Sequence, residues 1–411
     1  MDRLRFIRSL VFFPAFGLIA ACSNGQLESV SESKDSKPPK PATEARNANQ
    51  IELDKKSREE VEHLTSSAAT ERFELFAMRD PKQRARILEA QGGTDVTEAA
   101  VARALDFLAK NQNEDGGWGR GLGRSDVAGT SLALLPFLGA GESHQSGEHE
   151  VAVERGLLWL VDQQAKNGDL RNKLSESNTG MYAHAIGALV LCESYALTED
   201  KKLRDPTQKA IDFIVSAQHE AGGWRYHPGM PGDTSVSGWQ IAALYSAGGA
   251  NLTVPDSTFM AASKFLDSVQ ADGGAKYAYH PGTASNASMC AEGLMSRIYC
   301  GWTKENPALQ EGLELLLASH MPSYPDMDIY YLYHGTQLAF QLGGKSWDRW
   351  NARMREVLVK SQITNGRYAG AWRPMYAQHA QRDDWIYTTS LAACTLEVYY
   401  RHAPLFHRAE P

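Results

Sequence analysis

Three short stretches of the 411-residue chain set carboxylates beside aromatic rings: GDTSVSGW with Asp233 and Trp239, DMDIYYLYH with Asp326, Asp328, Tyr330, Tyr331 and His334, and RDDWIY with Asp383 and Asp384. A carboxylic acid desolvated by an aromatic wall keeps its proton and can act as a general acid. Asp233, Asp328 and Asp384 are therefore candidate catalytic acids. Trp239, Tyr330, Tyr331, His334 and, from MYAHAIGALV, His184 are candidate residues of a ligand cavity. Each has a plainer reading. An aspartate at a helix start accepts backbone N–H bonds and suits the helix dipole. A histidine inside an apolar helix serves as a core residue with a backbone partner.

The elements that must position these residues emerge from a repeat. RALDFLAKNQNEDGGW (residues 103–118) aligns without a gap on KAIDFIVSAQHEAGGW (residues 209–224). Weaker copies put the glutamine or its equivalent at 112, 164, 218, 270, 319 and 362, so the period is roughly fifty residues, six times over. In the fifth copy Ser319 replaces the glutamine. The first helix of each period is amphipathic, as with Val101, Leu105 and Leu108, and covers a core on one side. The second, for example GTSLALLPFLGA or SGWQIAALYSAGG, is apolar nearly all round and must be enclosed. Six such hairpins, none able to bury its apolar face alone, predict an all-α, double-layered ring, an (α/α)6 toroid. An open solenoid is the alternative.

The pattern Phe-Leu/Ile, Gln, Gly-Gly-Trp resembles the QW repeats of squalene cyclases and of protein prenyltransferase β subunits, over about Gly92 to Tyr400. MYAHAIGALVLCESYALTED, GGWRYHPGMPGDTSVSGWQIAAL and YTTSLAACTLEVYYRH further resemble a bacterial branch of squalene-cyclase-type repeat proteins. The resemblance implies that glutamine and tryptophan tie one repeat's turn to the next. It also implies a central aromatic cavity for an apolar or isoprenoid-like ligand. Squalene-hopene-type cyclases protonate an alkene with an aspartic acid in a D-x-D-D-T-A element; DVAGTSLALL resembles it but has Ala128 and Gly129 where the donor and its neighbour stand. Prenyltransferases hold zinc through a D-x-C element, and here Ser288 precedes Cys290 at that spacing, so neither a metal nor another cofactor is expected. Three functional classes stay open: a ligand-binding or terpenoid cyclase-like toroid, a glycan-active toroid enzyme, and a non-catalytic interaction scaffold.

Composition and the N-terminus set the surroundings. A formal net charge of −7 with no basic patch excludes a nucleic-acid partner. Cys192, Cys290, Cys300 and Cys394 lie in apolar runs without CxxC spacing and read as buried thiols. Three arginines, an apolar run and IAAC up to Cys22 have the layout of a signal peptide over residues 1–21. IAAC resembles the bacterial lipobox, which implies lipidation of Cys22, membrane attachment through that lipid and an extracytoplasmic site, at the outer membrane facing the periplasm. Residues 22–50 read as a disordered tether, 51–91 as a charged helical segment that packs against or caps the ring, and 92–402 as the toroid.

Overall fold

A computed structural model describes residues 74–325, 327–374 and 384–406. The proposed signal peptide, Cys22, the tether, most of the charged segment, Asp326 and Asp383 lie outside the described residues.

The first helices after Glu74 are α1 (Glu74–Ala77) and α2 (Arg84–Gln91). Six hairpins follow. Their outer helices are α3 (Asp95–Lys110), α5 (Glu150–Asp162), α7 (Lys201–Ser216), α9 (Asp256–Val269), α11 (Pro307–Ser319) and α13 (Gly344–Ser361). Their inner helices are α4 (Val127–Gly139), α6 (Gly180–Thr198), α8 (Thr234–Gly249), α10 (Ala287–Tyr299), α12 (Ile329–Leu342) and α14 (Trp385–Leu396), with α15 (Val398–Arg401) at the end. Each inner helix packs on the next, and α14 packs back on α4, while α13 meets α3 in the outer layer. The fold is thus an all-helical toroid of six hairpins, and the solenoid alternative falls because the first and last repeats touch.

The two sequence patterns sort the layers. In α3 a capping box of Thr94 and Thr97 starts the helix, and Val101, Ala104, Leu105 and Leu108 form its one buried face. Every residue of α4 and of α12 is buried. Among the described residues a pair of two-residue strands, β1 (Gln270–Ala271) and β2 (Lys276–Tyr277), flanks the fourth turn.

The QW turns act as locks. Gln112 donates to its own turn at the Gly116 carbonyl (2.8 Å) and to the next outer helix at Ala152 (2.8 Å). Gln164 repeats this on Gly168 and Pro206, and Gln218 on Gly222 and Thr258. Gln362 donates to Gly370 (2.9 Å) and, across the seam, to Ala100 of α3 (2.8 Å). The tryptophan of each full turn caps the outer helix it follows. Trp118 Nε1 donates to Leu108, Trp224 to Ile214 and Trp372 to Leu358, last-turn carbonyls that also accept the backbone N–H of Asn111, Ala217 and Gln362. Gly156 of α5 lets the Trp118 indole approach, since a Cβ there would lie 2.7 Å from the ring. Trp372 stands four residues further from its glutamine than the first and third turns place theirs, so it is hidden from a gapless alignment.

The C-terminal end of the inner ring is occupied by two buried arginines. Arg79, from the segment before the toroid, donates to Glu193 and to the Leu138 carbonyl, and Arg401 donates to Glu193 and to the Leu135 carbonyl. Cations suit the negative end of the helix dipoles.

Candidate functional site

The N-termini of the inner helices converge on a cavity of about 980 Å³. Its floor and walls carry aromatic rings, Trp239, Tyr330 and Tyr387 among them, with Tyr182, Tyr226 and Tyr279 on one side. Cap chemistry places the helix starts: Asp126 accepts from Gly129 N–H, Asp233 from Val236, Asn286 from Met289 and Asp328 from Tyr330. Asp384 stands at the start of α14 without such a bond to its own helix.

The candidate residues fall into two groups. Asp328, Asp384, Trp239, Tyr330 and Tyr331 line the cavity. Asp233, His334 and His184 do not. Asp233 is fully buried one layer back, where it caps α8, accepts from Tyr279 (3.1 Å) and faces Arg225 (3.5 Å). Burial pushes its carboxyl up to about 6, against the pull of those partners. His334 lies a turn below Tyr330, edge-on to Tyr330, Tyr333 and Trp239, and burial pushes it down to about 3. His184 is a core residue between layers. Its Nδ1 accepts from Leu170 N–H (3.1 Å), its Nε2 donates to the Ala210 carbonyl (3.0 Å), and burial holds it at about 4.

One acid escaped the sequence reading. Glu292 of α10 is 1% exposed and accepts from Tyr330 Oη through both oxygens (2.8 and 2.9 Å). Its Oε1 is 3.6 Å from His334 Nε2, an atom with no hydrogen-bond partner. Gly238 of α8 makes room, since a Cβ there would lie 2.6 Å from Glu292 Cγ. Burial raises the Glu292 carboxyl well above the usual range, and the neighbouring Asp233 adds to the rise. The signal was a lone acid in ASMCAEGLM, an otherwise apolar inner helix. Ala128, in the stretch that resembles the cyclase acid element, lines the same cavity. Among the described residues no cluster of three or more His, Cys, Asp or Glu side chains stands close enough to hold a metal.

Comparison with known proteins follows the same lines. Residues 85–186 match the family described as squalene-hopene cyclase C-terminal domain. The chain is 25% identical over 127 residues to the lanosterol synthase of Saccharomyces cerevisiae, covering 30% of this chain and 17% of that protein. It is 24% identical over 159 residues to the squalene–hopene cyclase of Zymomonas mobilis, covering 36% and 22%. Among solved structures, it superposes on an α-1,6-mannanase of Salegentibacter sp. HEL1_6 with a TM-score of 0.54 at 11% identity, over 75% of this chain and 99% of that one. It superposes on a type II terpene cyclase from Scytonema with a TM-score of 0.51 at 11% identity, over 74% and 97%. Those two neighbours speak for the fold alone. The ring of six hairpins, the glutamine–tryptophan turns and these partial sequence matches support a likeness to the squalene-cyclase-type superfamily.

Proposed function

We propose that the toroid binds an apolar or isoprenoid-like amphiphile in its central cavity, as a lipoprotein held through Cys22 on the extracytoplasmic side of the membrane, at the outer membrane facing the periplasm. One observation carries the binding reading: about 980 Å³ of unfilled space at the inner-helix N-termini, bounded by Trp239, Tyr330 and Leu332 at its apolar part and by Asp328 and Asp384 at its polar part. A small, mostly apolar pocket with a few placed polar groups is what such a ligand needs, whereas a scaffold needs no cavity. Native mass spectrometry of the full chain extracted in mild detergent tests the reading. A retained small molecule, absent after denaturation, is expected; a bare protein mass together with no binding of added isoprenoid alcohol overturns it. The anchor rests on the basic, apolar start and IAAC. Cys22→Ser is expected to abolish a diacyl-sized mass adduct, and an unchanged adduct refutes lipidation at that residue.

A catalytic reading, a terpenoid cyclase-like isomerase, draws on Glu292. Ala128 stands in the stretch resembling the family's acid element, and Glu292 is the buried acid wired to the cavity wall through Tyr330. Incubation of the protein with squalene, followed by gas chromatography of the extract, tests it: a cyclised product that Glu292→Gln removes supports the isomerase, and unreacted squalene refutes it for that substrate.

A further inference from the structure

Counting protons along the hydrogen bonds gives the cavity wall a direction. A phenol and a serine hydroxyl each carry one proton and accept through their oxygen. Tyr330 Oη lies 2.8 and 2.9 Å from the Glu292 carboxyl oxygens, and once Glu292 is ionised it gives them its proton. The 2.5 Å contact between Ser235 Oγ and Tyr330 Oη is then donated by Ser235. The chain reaches the cavity at Ser235, which lines it. A second chain runs the same way: Tyr279 gives its proton to Asp233 (3.1 Å), so the 2.6 Å contact between the Tyr226 and Tyr279 hydroxyls is donated by Tyr226. A third is one step long, from Ser288 to Asp328 (3.2 Å). All three chains end at cavity-lining hydroxyls, those of Ser235, Tyr226 and Ser288, whose protons are then committed inward. What they present to the cavity is oxygen lone pairs.

The charges point the same way. Among the described lining residues Arg120 is the one permanently cationic side chain, and it sits 4.0 Å from Asp126. Arg225 reaches Asp233 from behind the wall. The partner that Glu292 meets within pairing distance is His334, which burial keeps neutral. A buried acid that keeps its proton until a cation comes near and a wall that offers acceptors are both answered by a group that donates hydrogen bonds and carries positive charge.

We propose that the polar end of the cavity is built for a primary ammonium group, so that its ligand is an alkyl- or isoprenyl-type amine bound as the ammonium ion, its N–H bonds on the outward hydroxyls of the Ser235–Tyr330, Tyr226–Tyr279 and Ser288 chains. This rests on the cavity being the ligand site. Glu292 supplies the counter-charge through Tyr330, releasing its proton to solvent when the ammonium arrives. The apolar tail lies against Trp239, Ile186 and Leu132.

Four probes with one tail and different heads test the assignment by calorimetry on the full chain in lipid nanodiscs, with empty nanodiscs subtracted: octylammonium, octyltrimethylammonium, octanol and octanoate. Octylammonium is expected to bind about tenfold or more tighter than octanol, because a hydrogen bond to a charged group is worth more than a neutral one. Octyltrimethylammonium, a charge without N–H donors, is expected to fall between them, and octanoate to bind most weakly. In Glu292→Gln the preference for octylammonium over octanol is expected to disappear. Tyr330→Phe, which cuts the chain at its middle, gives the same readout should Glu292→Gln fail to fold. Octanol or octanoate binding as tightly as octylammonium overturns the head-group assignment and leaves the cavity reading standing. Octyltrimethylammonium matching octylammonium refutes the donor direction and with it the proposal. Binding of none of the four refutes the cavity reading and this inference together.

Discussion

Gln362 is the bond across which the ring closes, and replacing it by alanine isolates that closure. Its side chain is 6% exposed and makes four contacts. Nε2 donates to Ala100 (2.8 Å) and to Gly370 (2.9 Å), while Oε1 accepts from Arg103 Nε (3.0 Å) and Nη2 (2.7 Å). A net contribution of about 1 kcal/mol for each neutral bond and about 1.5 kcal/mol for the forked bond to the guanidinium gives a loss of about 3 to 4 kcal/mol, since both carbonyls and the guanidinium lose a partner in a confined site. With a denaturant slope of about 3 kcal/mol per molar urea, the midpoint of Gln362→Ala falls by about 1 M at an unchanged slope. Far-UV circular dichroism against urea reads this directly. Gln310→Ala is the comparison, because Gln310 also bridges two outer helices but does so from the surface, through 3.2 Å contacts to Glu314 and Ser346. Its cost is expected to be under about 0.5 kcal/mol. If Gln362→Ala melts with Gln310→Ala, the seam is held by helix packing alone and the lock reading is wrong.

Trp118→Ala and Trp224→Ala each remove a fully buried indole and the hydrogen bond it donates to a last-turn carbonyl, so a loss of about 3 to 5 kcal/mol in urea denaturation is expected for either. Gly238→Ala is expected to destabilise by about 1 to 3 kcal/mol despite alanine's better helix propensity, because the new methyl collides with Glu292; the same melts check it, and a gain in stability refutes the close approach. Asp233 titrates near 6 in the folded chain, above its ordinary 3.8, so the fold binds its proton more tightly than the unfolded chain does. Its contribution is therefore greatest at low pH and is lost as pH rises from about 4 through 6, by about 3 kcal/mol in all. Arg225, Tyr279 and Glu292 face it. Asp233→Asn retains an acceptor for Val236 and removes the titration, so the variant is expected to gain on the wild type between pH 4 and 8 in urea melts; a flat difference refutes the raised carboxyl.

The ring was legible from residues 112, 164, 218 and 362 because the lock needs one side-chain type, an amide that donates to two backbones, and such a demand survives as a repeated letter. The layers were legible because an enclosed helix is apolar all round. Trp372 was missed because extra residues between Gln362 and Gly370 change the spacing while the bonds stay the same. The cavity was legible only in part. Asp328 and Tyr330 sit at a helix start, where sequence shows both the cap and the ring that follows it. Which side of a wholly buried helix faces the axis has no polar stripe to mark it, so His184 and His334 looked alike, and one turned between the layers while the other lies against Glu292. Glu292 itself depends on a glycine in a different helix, Gly238, a relation that no single segment contains.

The bond from Gln362 to Ala100 also fixes how such a protein can grow. An open array of helical hairpins can gain or lose a unit at either end, because each end face is a surface to be capped and the interior does not register the count. Here the sixth unit uses the first as its neighbour, with the same amide-to-carbonyl bond that joins the first unit to the second. A seventh hairpin would find that carbonyl taken and the inner circle too small, and a fifth-only chain would leave it out of reach. The number of repeats is set by geometry, so change in length is confined to the turns.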